Sequence, residues 1–421
     1  MDAYISKGKA FGTVTVPPSK SLTHRALICG ALAGIKKEEI MQRNAGDVVQ
    51  PKVKTEIFPM YNSEDIKTTI RCLEKLGAVI KIDGERAVVE RGISLTNTSH
   101  ILDCRESGST LRFLMPVCLA LGIPATFTGT GRLFQRPMSV YEDICRAQGI
   151  SFKRNGCSIT VEGRISGSDF TIPADISSQF ISGLLMSIPL LETPGELIFS
   201  TKPESLPYVM LTIDIMKEFG IKVLPDLEND RITIDEGQRY SSPGTVYIEG
   251  DYSSAAFLDS FNYLGGKVSL TCLKEDSLQG DKIYREYFNA IAVGRPVLDV
   301  SQCPDLAPIL MVLGAANNGV TLTSTGRLKL KESDRGKAMA EELGKFGIRV
   351  DVDADSISVG GSQIRKLEER ISTHNDHRIA MALSILCTLT GGVIENCRVV
   401  EKSFPDFYDT LSALGIQVRI A

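Results

Sequence analysis

At 421 residues the chain is too long for one ordinary hydrophobic core and suits two domains of about 200 residues each. With 43% hydrophobic and 23% charged residues it has the composition of a globular protein, and no apolar run approaches the roughly 20 residues of a membrane span. A formal charge of -4, from 47 basic and 51 acidic residues, excludes a general attraction to nucleic acid or membrane, so any anion must be held by local clusters of cations. The ten cysteines are scattered with no C-x-x-C pair, which argues for packed, reduced thiols and against a disulfide or zinc framework. Gly12 to Val16 alternates like a strand and has no signal or transit character, so the expected location is cytoplasmic.

In chain order the first strong signal is Pro17-Pro18-Ser19-Lys20-Ser21 through Arg25 to Gly34. Two prolines stop a strand, Ser19 or Ser21 can cap a helix, and the helix that follows is built of Leu, Ala, Cys and Gly with almost no charge after Arg25. It reads as a buried helix with a polar nose. Ser21 and Arg25, four apart, share one face, and Lys20 stands where free backbone N–H groups and the helix dipole favour an anion. The stretch from 36 to 60, before the cap Asn62-Ser63-Glu64-Asp65, lacks clean periodicity and reads as a surface insertion.

The same nose recurs at Arg105 to Arg112, Asp175 to Phe180, Gly250 to Ser254, Cys303 to Ala307 and Asn375 to Ile379. Between the noses lie amphipathic helices that end on Gly77, Gly149, Gly220, Gly347 and Gly415, each followed by short strands, with hairpins expected around Asp83-Gly84 and Asn155-Gly156. The spacing of roughly 70 residues implies six copies of strand, buried helix, strand, amphipathic helix and two strands, blurred between Leu270 and Val300. Helices without a solvent face belong inside and the sheets outside, with three copies per domain. If the domains face each other, six noses meet in one cleft.

The noses and their loops contribute Lys20, Arg25, Arg112, Arg136, Lys331, Arg335, Arg378 and Lys402 as cations, with Asp305 and Glu332 as acids and Ser21, Ser177, Ser178 and Gln179 as neutral donors. Such a collection suits two polyanions. Lys331-Glu332-Ser333-Asp334-Arg335 also reads as a capped, charge-balanced helix start, and Cys104 as a packed thiol. His374-Asn375-Asp376-His377 offers two histidines without a third ligand, so no metal is expected.

These motifs in combination resemble the EPSP synthase family of enolpyruvyl transferases: P-x-S-K-S-x-x-x-R-A-L at 17 to 27, S-G-S-T-L-R at 107 to 112, Q-R-P-M at 135 to 138, S-S-Q-F at 177 to 180, E-G-D-x-S-S-A at 249 to 255, C-P-D at 303 to 305, K-E-S-D-R at 331 to 335, N-D-H-R at 375 to 378 and K-S-F-P-D at 402 to 406. The resemblance implies a two-domain inside-out α/β barrel fold of six βαβαββ repeats with the active site in the interdomain cleft. One domain would hold 1–18 and 250–421, the other 19–249. It further implies transfer of the enolpyruvyl group of phosphoenolpyruvate to the 5-hydroxyl of shikimate 3-phosphate, through a tetrahedral intermediate, by a monomer that needs no cofactor.

Carried over by position, Ser21 and Arg25 would hold the shikimate carboxylate, Ser177, Ser178 and Ser205 its phosphate with Tyr208 nearby, and Asp305 and Lys331 its hydroxyls. Lys20, Gly108, Arg136 and Gln179 would take the phosphate of phosphoenolpyruvate, with Lys20 and Gln179 also bordering the other substrate. Arg335, Arg378 and Lys402 would take its carboxylate, and Arg112 and His377 would support. Asp305 would be the base, and Glu332, aided by Lys20, the acid at the methylene carbon. Gly108 is where a methyl group would crowd the phosphate side, and sensitivity to glyphosate is expected. Glu106-Ser107-Gly108-Ser109 and Arg327 depart from the family pattern. The related transferase acting on UDP-N-acetylglucosamine carries a reactive Cys before its Arg-Pro pair, and Gly131 to Pro137 has none. A silent phosphometabolite-binding paralogue would keep the cations and lose the acids, yet Asp305 and Glu332 are present.

Overall fold

The computed structural model describes residues 1–41, 50–96, 98–191, 193–361, 364–367 and 369–421. They form two compact units, Pro18–Ile248 and a second made of Met1–Pro17 with Glu249–Ala421.

The Pro18–Ile248 unit holds three four-stranded sheets. Their orders are Thr245–Tyr247, Lys52–Phe58, Arg86–Arg91, Val79–Asp83; His100–Asp103, Ala125–Thr128, Ser158–Glu162, Ser151–Asn155; and Asp169–Ile172, Gly195–Phe199, Arg231–Ile234, Val223–Asp226. In each the first pair is parallel and the others antiparallel. A parallel pair needs a crossover, which the helices Gly108–Leu121 and Ser178–Ser187 supply in the second and third sheets. The first sheet is different, because the chain enters directly into the helix Lys20–Leu32 and delivers the missing first strand, Thr245–Tyr247, only on its way out. Both expected hairpins form, with Asp83 opposite Arg86 and Asn155 opposite Ser158.

One expectation needs correction. Lys52–Phe58, inside the supposed surface insertion, is an inner strand paired on both sides. Thr55 and Ile57 are buried while Lys52 and Lys54 are exposed, a period-2 pattern that the charges on the outer face obscured. Lys37–Met41 is a short helix, and residues 42–49 of that stretch lie outside the described residues.

In the second unit, Val297–Asp299, Gly319–Thr323, Ser356–Gly360 and Val350–Val352 repeat the same sheet order. In another sheet the N-terminal strand Ala3–Ile5 sits between Gly392–Ile394 and Val418–Ile420, with Ile371 bridging Ile394 in parallel. Ala3–Ile5 thus takes the place of a last strand that the C-terminal copy does not itself contain. The blurred copy keeps only its parallel pair, Phe11–Thr15 with Lys267–Thr271. After the helix Tyr284–Val293 only Gly294-Arg295-Pro296 precede Val297–Asp299, which already begins the next sheet, so no chain remains for a hairpin.

The six noses all open helices: Lys20–Leu32, Gly108–Leu121, Ser178–Ser187, Tyr252–Asp259, Ala307–Ala316 and His377–Thr390. The first is buried at every residue from Leu22 to Leu32, and the last from His377 to Thr388. Within the Pro18–Ile248 unit Gly108–Leu121 packs on Ser178–Ser187 and on Lys20–Leu32; within the other, His377–Thr390 packs on Ala307–Ala316 and Tyr252–Asp259. Gly77, Gly149, Gly220, Gly347 and Gly415 all take positive φ at helix ends, where a Cβ would be strained. Among the described residues no helix is long and apolar enough to cross a membrane, and all ten cysteines are free, eight of them buried.

Gly183 sets how closely two buried helices approach. A Cβ there would lie 2.3 Å from the Arg112 carbonyl oxygen and 2.4 Å from Tyr141 Oη. Gly183→Ala is therefore expected to cost about 1–3 kcal/mol by overpacking, seen as a lower urea midpoint; an unchanged midpoint would contradict this close approach.

Candidate functional site

Each unit carries a polar cluster at the starts of its buried helices. In the Pro18–Ile248 unit, Ser107 caps Gly108–Leu121 by accepting from the Thr110 N–H, and Ser177 caps Ser178–Ser187 by accepting from the Gln179 N–H. Arg112 donates to Gln179 Oε1 at 2.7 Å and to the Pro137 carbonyl at 3.0 Å, and Gln179 Nε2 donates to Ser109 Oγ at 3.0 Å. A methyl group added at Gly108 would lie 2.7 Å from Arg136 Nη1 and 3.1 Å from Arg112 Nη1. Gly108, Arg112, Arg136 and Gln179 therefore form one knot, with Ser177 and Ser178 on the turn that carries Gln179.

Arg25 forms a second knot. Its Nε donates to Thr212 Oγ1 at 2.6 Å, Nη1 to the Ser21 carbonyl at 2.7 Å, and Nη2 to Ser182 Oγ at 3.2 Å and the Tyr208 carbonyl at 3.0 Å. The guanidinium is buried and stands 5.0 Å over the Phe113 ring. Burial pulls it down to about 10, against the pull of Tyr208. Ser205, left-handed at φ 54, precedes Leu206–Glu218, and its carbonyl accepts from the Tyr208 N–H. Lys20 stands apart, paired with Asp65 Oδ2 at 2.7 Å. The sequence marked Asp65 only as part of a helix cap.

A relay of hydroxyls joins two noses: His24 Nδ1 lies 2.7 Å from Thr69 Oγ1, which lies 2.7 Å from Thr110 Oγ1, which donates to Ser107 Oγ at 2.7 Å. Burial, with Lys20 and Arg25 beside it, holds His24 well below the usual imidazole range, so the ring is neutral.

In the second unit Asp305 lies in the turn Pro304–Leu306 that opens Ala307–Ala316. It accepts from Arg335 Nη1 and Arg378 Nη2, each at 2.8 Å, and faces Lys331 Nζ at 3.5 Å. Burial alone would raise this carboxyl, but Arg378, Lys331 and Arg335 outweigh it and hold Asp305 well below the usual carboxylate range. Arg335 is almost wholly buried and also donates to Asp376 Oδ2 at 2.8 Å and Glu332 Oε2 at 2.9 Å. Asp376 in turn caps His377–Thr390 through the Arg378 N–H. Lys402 Nζ donates to the Asn375 carbonyl at 2.7 Å, and His377 is buried at the helix start.

Two further features escaped the sequence reading. Asp376 lies in the quoted N-D-H-R motif and is the partner of Arg335; an Asp directly before a buried helix was the signal. Asp281 accepts from Ser253 on Tyr252–Asp259 and is raised to about 6, first by burial and then by the charge of Asp305. Of the departures, Arg327 donates to the Ser301 carbonyl at 2.8 Å, and Glu106 lies where a Cβ on Gly131 would meet its carboxylate.

Asp65 and Asp376 reduce the cation surplus. Among these groups, Lys20, Arg25, Arg112 and Arg136 stand against Asp65 in one unit, and Lys331, Arg335, Arg378 and Lys402 against Asp305, Glu332 and Asp376 in the other. The excess of positive charge is therefore greater in the Pro18–Ile248 unit.

The model of the family described as EPSP synthase (3-phosphoshikimate 1-carboxyvinyltransferase) matches residues 6–411. This chain belongs to the EPSP synthase family. The 3-phosphoshikimate 1-carboxyvinyltransferase of Clostridium novyi (strain NT) is 38% identical over 437 positions, spanning 96% of this chain and 95% of its own. That of Clostridium botulinum (strain Alaska E43 / Type E3) is 36% identical, spanning 98% and 96%. A solved structure of EPSP synthase from Acinetobacter baumannii shares the fold with a TM-score of 0.74 at 22% identity, each chain covered completely.

Lys331 carries a consequence in pH. Burial lowers its ammonium to about 8, with Asp305 resisting and Arg335 and Arg327 assisting, so the charge is lost as pH rises through that value. After reductive methylation with labelled formaldehyde, one lysine methyl resonance, identified by its loss in Lys331→Met, is expected to titrate near pH 8. Finding every lysine titrating above about 10 would contradict it.

Proposed function

We propose that this enzyme transfers the enolpyruvyl group of phosphoenolpyruvate to the 5-hydroxyl of shikimate 3-phosphate, releasing phosphate, as the named relatives do. The observation that carries the reading is Asp305, an ionised carboxylate held among Arg335, Arg378 and Lys331 at the start of a buried helix in a chain matched along its length by this family. In this reading Arg335, Arg378 and Lys402 receive the carboxylate of phosphoenolpyruvate, and Lys20, the Gly108 N–H, Arg136 and Gln179 its phosphate. Ser21, Arg25, Ser177, Ser178, Ser205, Tyr208 and Lys331 serve shikimate 3-phosphate. Arg112 supports Gln179, and His377 supports the start of its helix.

Asp305 as it stands is a weak base, because three cations stabilise its charge. A substrate carboxylate on Arg335 and Arg378 divides that attraction, so Asp305 gains proton affinity when phosphoenolpyruvate arrives. The 5-oxygen then bonds to C2 while its proton passes to Asp305; the substrate carboxylate displaces Glu332 from Arg335, Glu332 takes up a proton from solvent, and it delivers that proton to C3, aided by Lys20. In the second half the C2–O bond to phosphate breaks with the electron pair leaving on phosphate, C3 returns its proton to Glu332, and the double bond re-forms. The cations steady the charge on the departing phosphate. Neither half needs a metal or organic cofactor. Ten free thiols support a reducing, cytoplasmic setting, and a monomer is the oligomeric state we propose.

Asp305→Ala should lower turnover about 10²- to 10⁴-fold without weakening phosphoenolpyruvate binding, because the carboxylate that competes for Arg335 and Arg378 is gone. Phosphoenolpyruvate recovered from heavy water after partial turnover should carry deuterium at C3, because the methyl group of the intermediate can return any of its hydrogens. Unchanged turnover removes Asp305 as the base, and enolpyruvyl product formed in heavy water without deuterium at its methylene carbon removes the addition step.

A further inference from the structure

The helix Arg335–Lys345 carries two buried charged residues seven positions apart. Two helical turns put Arg335 and Glu342 on the same face, about 10 Å apart along the axis. Arg335 grips Asp376, while Glu342 grips Ser372 and His374, so the chain from 372 to 376 runs back along this face and is fastened at both ends.

Glu342 is fully buried, yet its carboxylate is saturated. Oε1 accepts from His374 Nε2 at 3.0 Å and Lys345 Nζ at 3.0 Å; Oε2 accepts from Lys345 Nζ at 2.8 Å and the Ser372 N–H at 3.1 Å. A buried ion pair is seldom better for stability than well-packed apolar side chains, so stability alone does not account for a charge here. What Glu342 holds is unusual. His374 and Asn375 are successive non-glycine residues in the left-handed region, at φ 47 and φ 57, a conformation that persists only where the surroundings impose it. That turn aims the Asn375 carbonyl at Lys402 Nζ and sets Asp376 where it accepts from Arg335, Ser333 and the Arg378 N–H.

We infer that Glu342 is a positioning residue: by anchoring Ser372 and His374 it holds the left-handed turn that fixes Lys402, Arg335 and Arg378 relative to one another. It touches no substrate and acts through the backbone of 372–376. The inference rests on the proposed function, in which those three cations receive the carboxylate of phosphoenolpyruvate. The groups facing His374 are Glu342, which raises its proton affinity against the effect of burial, then Glu341, which adds to the rise, and Lys345, which opposes it. The charged pair therefore weakens as pH rises past the raised value of His374.

The test uses the full chain and two variants. In Glu342→Gln the KM for phosphoenolpyruvate should rise about tenfold, with the KM for shikimate 3-phosphate changed less than about twofold. The His374 imidazole resonance should titrate at lower pH than in the wild type. His374→Gln places an amide N–H near the position of Nε2–H without a titrating charge, so it should keep the KM for phosphoenolpyruvate close to the wild-type value and flatten its rise on the alkaline limb. Should Glu342→Gln fold poorly, His374→Ala, at a half-buried position, removes the same anchor and should reproduce the selective KM effect. Equal changes in both KM values, or no change in either, would overturn the inference while leaving the reaction assignment intact. A wild-type protein without turnover on the two substrates would overturn both.

Discussion

A helix with no solvent face can carry charge only near its ends, and that constraint organises this protein. Six such helices, from Lys20–Leu32 to His377–Thr390, are built mainly of Leu, Ala, Ile and Gly, with a few hydroxyls such as Ser182 and Ser384 inside, and gather Lys, Arg and Asp chiefly where they begin. Burial of the shafts supplies apolar stabilisation on the order of 25 cal/mol per Å² removed from water. The same packing fixes the starts, where backbone N–H groups lack partners and cations can be held. Gly183 shows the tolerance involved, since an added methyl group would meet the Arg112 carbonyl, and Arg112 is itself part of a polar cluster.

The charges at these ends are not alike. Arg25 bonds to hydroxyls and carbonyls, with no carboxylate among its hydrogen-bond partners in the described residues, and burial makes its charge more costly than in water. Arg335 lies among Asp376, Glu332 and Asp305, which raise its proton affinity against the effect of burial. Exposed ion pairs contribute about 0–1 kcal/mol, whereas removing one partner of a buried pair costs about 3–5 kcal/mol. Arg335 thus ties together the second unit's carboxylates, and Asp305 owes its low proton affinity first to Arg378, then to Lys331 and Arg335. An anionic substrate competes with Asp305 for the same cations, and this competition is how binding can prepare a base.

Local features were legible in the sequence because their causes are local. Capping residues before apolar runs marked the six helix starts, and glycine after amphipathic helices marked five helix ends with positive φ. The features missed depend on chain segments far apart. Thr245–Tyr247 completes a sheet whose other strands lie more than 150 residues earlier, and Ala3–Ile5 completes one near the C-terminus. Asp65 and Asp376 were visible as helix caps, but their pairing with Lys20 and Arg335 spans about 40 residues and follows from the fold. Lys52–Phe58 was misread because its outer face is Lys, Lys and Glu, although its inner face alternates as a strand should.

The acceptor of the enolpyruvyl group decides the function, and the direct measurement is phosphate release from phosphoenolpyruvate by the purified full chain, with shikimate 3-phosphate in one series and UDP-N-acetylglucosamine in another. Release that depends on shikimate 3-phosphate alone is the expected result. Release with UDP-N-acetylglucosamine instead, or with neither acceptor, would contradict it.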